Sequence, residues 1–222
     1  MTAERWTEAA DGSSSEVGSG GDVVDLLSTL IRFDTTNWGR GRSAGERKAA
    51  TWIADQLAAA GWSPLVLARD DAPERANVVL RVPGFDRDRP ALLVHGHLDV
   101  VPAAPDDWSV EPFAGVVEDG YVWGRGAADM KDMCAASLAT LLRWARDGVQ
   151  PERDVVFAFL ADEEAGGRYG AAGWSAQIRA CSPGSRPRSA RAAACSAGCG
   201  MATGAPAATR WGRPSAARCT CG

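Results

Sequence analysis

The sequence predicts an α/β protein, a mixed, mostly parallel sheet flanked by helices, and three observations carry that prediction. Short apolar runs bounded by Gly, Pro and Asp alternate with stretches whose apolar residues recur at helical spacing. The runs are continuous rather than alternating, the pattern of strands buried on both faces. His, Asp and Glu residues gather just after such runs, where open α/β sheets build their ligand crevices.

Taken in chain order, Asp22 can cap a helix whose apolar residues Val23, Val24, Leu26, Leu27, Leu30 and Ile31 fall on one side. Ser43 with Glu46 three residues later has the form of a capping box. The helix it would open buries Trp52, Ile53 and Leu57 and closes at Gly61. The runs "PLVLA", "NVVLRV", "ALLVHG" and "DVVFAFLA" read as strands, and "DMCAASLATLLRWA" supplies a long helix between the last two. No internal repeat is evident.

At 222 residues, 45% of them hydrophobic, the chain is long enough for one sizeable core with attachments. A formal net charge of -4 argues against a nucleic-acid partner held by a general basic surface. No apolar run approaches the roughly 18 residues of a membrane span. A small-molecule partner is the default. Residues 1–21 are rich in Ser, Gly and acidic side chains and lack the apolar segment of a signal peptide, so they read as a disordered leader on a cytoplasmic protein.

Composition breaks at Trp174. All 28 acidic residues precede Ser175, and residues 175–222 contain no Lys, Leu, Val, Phe or Tyr. Seven of the 24 basic residues lie in this tail, so 17 remain against the 28 acidic residues before it, a net of -11. Such a tail cannot make an ordinary core. It holds Cys181, Cys195, Cys199, Cys219 and Cys221, but the CxxxC and CxC spacings without histidine tell against a zinc knuckle or a disulfide cluster. Its Ala, Arg, Gly, Pro, Ser, Cys mixture is what GC-rich codons yield out of frame. The expectation is a frameshift or truncation near residues 174–176, leaving 22–174 as a partial domain and 175–222 as a disordered tail.

Both histidines of the chain lie in "LLVHGHLDVVP". His97 and Asp99 follow one strand, Asp129 stands at the start of the long helix after "GRGAA", and Glu163 and Glu164 follow "DVVFAFLA". Three junctions distant in sequence can converge at one crevice. Imidazole and carboxylate are the ligands of a divalent metal, and the second residue of a His-x-Asp pair can accept the other ring N–H of the first. Singly, each has a plainer reading: His97 as a polar strand end, Asp129 as a helix cap, Glu163 and Glu164 as a solvated turn. His95 reads as structural and Cys134 as a small core residue.

The blocks "GHLDVVP", "W...PF" (Trp108, Pro112, Phe113), "GRGAADMKDM" and "ADEEAGG", with "IRFDTTN" before them, resemble the successive motifs of the zinc-dependent aminoacylase, acetylornithine deacetylase, succinyl-diaminopimelate desuccinylase and glutamate carboxypeptidase superfamily. The resemblance covers residues 22–174. Asp132 and Met133 stand where many members have glycines. It implies a zinc-exopeptidase-like catalytic domain and two Zn2+ ions, with Co2+ or Mn2+ as alternatives. His97 would ligate one ion, Glu164 the other, and Asp129 would bridge them. Asp99 would orient His97, and Glu163 would be the general base toward water. A cis peptide from Asp129 to Met130 is implied as well. The substrate would be a small peptide or an N-acyl amino acid, with a lean toward peptidase or aminoacylase-like activity.

The resemblance also implies a further acidic ligand beyond the paired glutamates and a histidine near the C-terminus, one for each ion. Neither residue type occurs after Trp174. Each ion would lack one protein ligand, and the lid domain through which such proteins form homodimers would be absent. The expectation is therefore a chain inactive as it stands and not a homodimer. The alternative is a non-catalytic fragment or a weak metal-binding or interaction chain.

Overall fold

The structure, a computed structural model, describes residues 23–174. The leader, Asp22 and the cysteine-bearing tail lie outside the described residues. In chain order the elements are α1 (Val23–Arg32), β1 (Asn37–Gly39), β2 (Arg42–Ser43), α2 (Arg47–Ala59), β3 (Leu65–Arg69), β4 (Ala72–Val82), β5 (Leu92–His97), β6 (Val116–Glu118), β7 (Tyr121–Trp123), α3 (Lys131–Asp147) and β8 (Val155–Leu160). Each of the four apolar runs forms a strand, and all three periodic stretches form helices. The short hairpins β1–β2 and β6–β7 are additions to the expected elements, the second turning at Asp119-Gly120 between apolar runs.

Four strands make the main sheet in the order β3-β4-β8-β5. It is mixed and flanked by helices, as predicted. Among the described strands, though, only β5 and β8 run parallel, while β3–β4 and β4–β8 are antiparallel. Two residues separate β3 from β4, a link short enough only for a hairpin.

The three helices share one apolar cluster with the sheet face bearing Val78, Leu80, Val82, Phe157 and Phe159. The other face carries a smaller cluster, Val79, Val156, Ala158 and Leu160, against Ala171 and Trp174. Full burial therefore belongs to β8, one of the two inner strands, whose six residues are all buried. At the edge, Leu92 and Leu93 of β5 are 51% and 44% exposed. Continuity of apolar residues marked the strands correctly but overstated how far the sheet is covered.

The capping box does not form. Helix α2 begins at Arg47 with Glu46 itself at the N-cap and no side-chain cap, and Ser43 Oγ accepts from Gly45 N at 3.0 Å. Burial decides this. Glu46 is wholly buried and its carboxylate is forked by Arg75, a charge-assisted pair stronger than a bond to a helix amide. Gly61, with φ +90°, follows the C-terminus of α2 as expected. No described helix is long and apolar enough to cross a membrane.

Candidate metal centre

Parallel pairing of β5 with β8 sets His97 beside Leu160, so both strands deliver their following residues to the same end of the sheet. The pairing continues one step, Leu98 N donating to Leu160 O at 2.7 Å. Beyond it, the "DTTN" segment lies along the outgoing chain: Asn37 N donates to Val100 O at 2.8 Å and Thr35 Oγ1 to Leu98 O at 2.6 Å. The third contributor arrives on the tight turn before α3. Gly126 there holds φ +86°, and a Cβ on it would stand 2.7 Å from Val100 Cγ1, so only glycine lets this turn pack on the strand end. The Asp129–Met130 peptide is cis.

These junctions bring His97, Asp129 and Glu164 together, one ligand atom of each lying within 4.8 Å of the others. His97 is buried, Glu164 half-buried and Asp129 exposed. His97 Nε2 lies 3.2 Å from Asp129 Oδ1 and 3.7 Å from Glu163 Oε2. Partial burial holds the Glu164 carboxyl above its ordinary value, with Asp129, Asp99 and Glu163 adding to the rise and His97 opposing it. His95 is exposed on β5 and takes no part.

The contact between Asp99 and His97 differs from the one expected. His97 Nδ1 lies 2.9 Å from the main-chain carbonyl of Asp99 and 3.6 Å from its carboxylate. The carboxylate is engaged elsewhere, accepting Glu163 N at 3.0 Å, Glu164 N at 3.1 Å and Asn37 Nδ2 at 2.8 Å. Asp99 thus joins two junctions: its backbone anchors the imidazole and its side chain anchors the paired glutamates. A carbonyl can only accept, so Nδ1 carries the ring proton. In the neutral ring the Nε2 lone pair then faces the carboxylates, a repulsive arrangement that a cation between them turns into ligation. One imidazole and two carboxylates suit a divalent ion of the zinc type, so the donor set fits.

Several supporting residues, Lys131, Arg75, Asn37 and Asp162, were not singled out by the sequence. Lys131, wholly buried, donates to Leu30 O at 3.0 Å and Phe33 O at 2.7 Å, pinning the start of α3 to the carbonyl end of α1. Burial pushes its ammonium down to about 8. Cys134 is a buried core residue, as read, and its thiol, pushed up by burial to about 12, donates to His97 O. Arg75, Asn37 and Asp162 form a buried polar chain behind the glutamates. A cleft of about 320 Å³ opens beside the cluster, lined by Val101, Trp108, Trp123, Arg125, Asp129 and Glu164.

A mixed α/β sheet whose strand ends gather one imidazole and two carboxylates defines an α/β protein with a candidate metal centre. The profile of peptidase family M20/M25/M40 matches residues 93–207, and the chain belongs to that family. The chain is 42% identical over 89 residues to "Probable carboxypeptidase S-like 2" of Dictyostelium discoideum, covering 40% of this chain and 17% of that protein. It is 38% identical over 122 residues to succinyl-diaminopimelate desuccinylase of Methylobacterium radiotolerans, covering 54% of this chain and 30% of the enzyme. The chain thus spans a third or less of either relative. The crystal structure of human carnosine dipeptidase 1 superposes with a TM-score of 0.57 at 19% identity, over 71% of this chain and 36% of that one, and shares the fold.

Proposed function

We propose that residues 22–174 carry the chemistry of metal-assisted amide hydrolysis on small peptides or N-acyl amino acids. One observation carries the reading: His97, Asp129 and Glu164 meet within 4.8 Å, with Glu163 beside them. Those three residues would hold the metal, two ions by family expectation with Asp129 shared between them, zinc first and cobalt or manganese as substitutes. A divalent cation there supplies Lewis acidity toward the scissile carbonyl and toward water. The chain's own residues do the rest. His97, fixed through Nδ1, presents Nε2. The exposed Glu163 carboxylate accepts a proton from the attacking water as its oxygen bonds to the carbonyl carbon, and returns it to the nitrogen as the C–N bond breaks. A carboxylate and an amine result. The two relatives, named for a carboxypeptidase and for a desuccinylase, bracket this substrate class. The reading includes a cytoplasmic setting and a small-molecule partner rather than nucleic acid or membrane.

A second reading, a metal-binding chain without turnover, is favoured by the lack of any acidic residue or histidine among residues 175–222. Cobalt titration of the 222-residue chain, followed by assay on N-acyl amino acids and dipeptides, decides between them. Against the expectation of an inactive chain drawn from the missing ligands, the hydrolase reading requires binding that His97→Ala abolishes, and turnover that Glu163→Gln lowers about a hundredfold or more at unchanged cobalt affinity. Binding without turnover supports the second reading; no binding at all sinks both.

A further inference from the structure

Strand β4 is apolar through its middle but contains Arg75, only 6% exposed and far in sequence from every metal-ligand motif. Its guanidinium forks the Glu46 carboxylate, Nε to Oε2 at 2.8 Å and Nη2 to Oε1 at 2.9 Å, and Nη2 also reaches Asp162 Oδ1 at 2.9 Å. Asp162 is the residue immediately before Glu163. Its backbone is left-handed at φ +65°, a conformation that crowds the Cβ of a non-glycine residue and needs support from its surroundings. Both of its oxygens are engaged: Oδ1 also accepts Asn37 Nδ2 at 3.1 Å, and Oδ2 accepts Tyr169 N at 3.2 Å. Asn37 uses the same amide to reach Asp99, which holds the Glu163 and Glu164 amides. The turn that presents both glutamates therefore rests on three buried carboxylates, Glu46, Asp99 and Asp162. Among the described residues, Arg75 is the one guanidinium that touches two of them.

We propose that Arg75 is a positioning residue for the metal centre. By clamping Asp162 against Glu46 it fixes the left-handed turn from which Glu164 reaches the ion and Glu163 reaches water. This rests on the hydrolase reading for its purpose but not for its geometry. A plainer role would be that Arg75 merely fastens α2 to the sheet through Glu46. The two differ in what happens once Glu46 no longer needs a partner. Replacing a buried ion pair by neutral side chains commonly restores stability, whereas removing one member leaves a buried charge. In Arg75→Met/Glu46→Gln the fastening is neutral but Asp162 has lost its clamp.

The test measures amide hydrogen exchange of Glu163 and Glu164 on the metal-free 222-residue chain, then cobalt affinity, beside urea stability. In the double variant, stability is expected to recover only the part of the Arg75→Met loss that came from the unpaired Glu46 charge, Asp162 keeping its Asn37 and Tyr169 donors, while exchange at both amides stays at least tenfold faster and cobalt binds at least tenfold more weakly than in the wild type. Asp162→Gly gives an independent route, since glycine accepts the left-handed turn but cannot be clamped, and the same tenfold changes are expected. Exchange and affinity that return to wild-type values together with stability would reduce Arg75 to a fastener and overturn the proposal. Fast exchange in a chain whose wild type binds no cobalt would sink the metal reading and leave the positioning of the turn standing.

Discussion

Asp99 shows how one side chain can be right in identity and different in role. A His-x-Asp spacing is legible in the sequence, and so is the inference that the second residue supports the first. Which atom does so is not, because it depends on the crossing of β5 with the chain after β8. The structure gives the backbone carbonyl to His97 and the carboxylate to three N–H donors from elsewhere. Asp99→Asn should therefore hurt the glutamate turn more than the imidazole. An amide side chain has one acceptor oxygen where three donors converge, and its NH2 would oppose another donor. The expected loss is about 1 to 3 kcal/mol of stability, read from urea denaturation. His97 should keep its proton on Nδ1, read from the imidazole nitrogen shifts of the metal-free chain. A ring that changes tautomer in this variant would show that the carboxylate, and not the carbonyl, anchors it.

At the scale of elements, packing of β5 on α3 sets where the imidazole sits. Gly96 faces α3, and a Cβ at that position would lie 2.9 Å from Cys134 Sγ and 3.5 Å from Met130 Cε. Gly96→Ala should cost about 1 to 3 kcal/mol by overpacking. Cys134→Ala removes the offending sulfur, so the double variant should be less destabilised than the sum of the singles by about 1 kcal/mol. Strict additivity in a double-mutant cycle of urea stabilities would show that the strand and helix separate instead. The principal helices and strands were readable because each depends on its own apolar spacing. The β1–β2 hairpin was not, having three residues or fewer per strand and few apolar positions, whereas β6–β7 was readable, since "VVEDGYVW" sets Asp119-Gly120, both at positive φ, between two apolar runs. The false capping box has a tertiary cause: Ser43 and Glu46 satisfy a local pattern, but Arg75, 29 residues beyond Glu46, competes for the carboxylate. Sequence spacing located the metal-ligand candidates, and the polar chain behind them needed the sheet order.

Across the whole described domain, burial of charge makes stability depend on pH through groups far from any surface. Glu46 is pushed by burial up to about 7 from 4.5, so between those values the folded chain holds more protons than the unfolded one. Stability from this group is full below pH 4.5 and is lost as pH rises through 7. Lys131 is pushed by burial down to about 8 from 10.5, so there the unfolded chain holds more protons. Its penalty is full below pH 8 and fades as pH rises toward 10.5. Together the two create a trough between pH 7 and 8, with flanking slopes of at most about 1.4 kcal/mol per pH unit for each group. Cys134 limits the alkaline recovery. Its thiol ionises at 9 when unfolded but is held up to about 12 when folded, so its contribution falls over that range and opposes the rise from Lys131 above pH 9. Urea denaturation from pH 4.5 to 10.5 should show the acid limb flattened in Glu46→Gln and the alkaline limb flattened in Lys131→Met. In Cys134→Ala the alkaline recovery should continue to pH 10.5 instead of levelling near 9. An acid limb unchanged by Glu46→Gln would mean that the Arg75 fork keeps this carboxylate ionised in the folded chain throughout, and that the trough has another source.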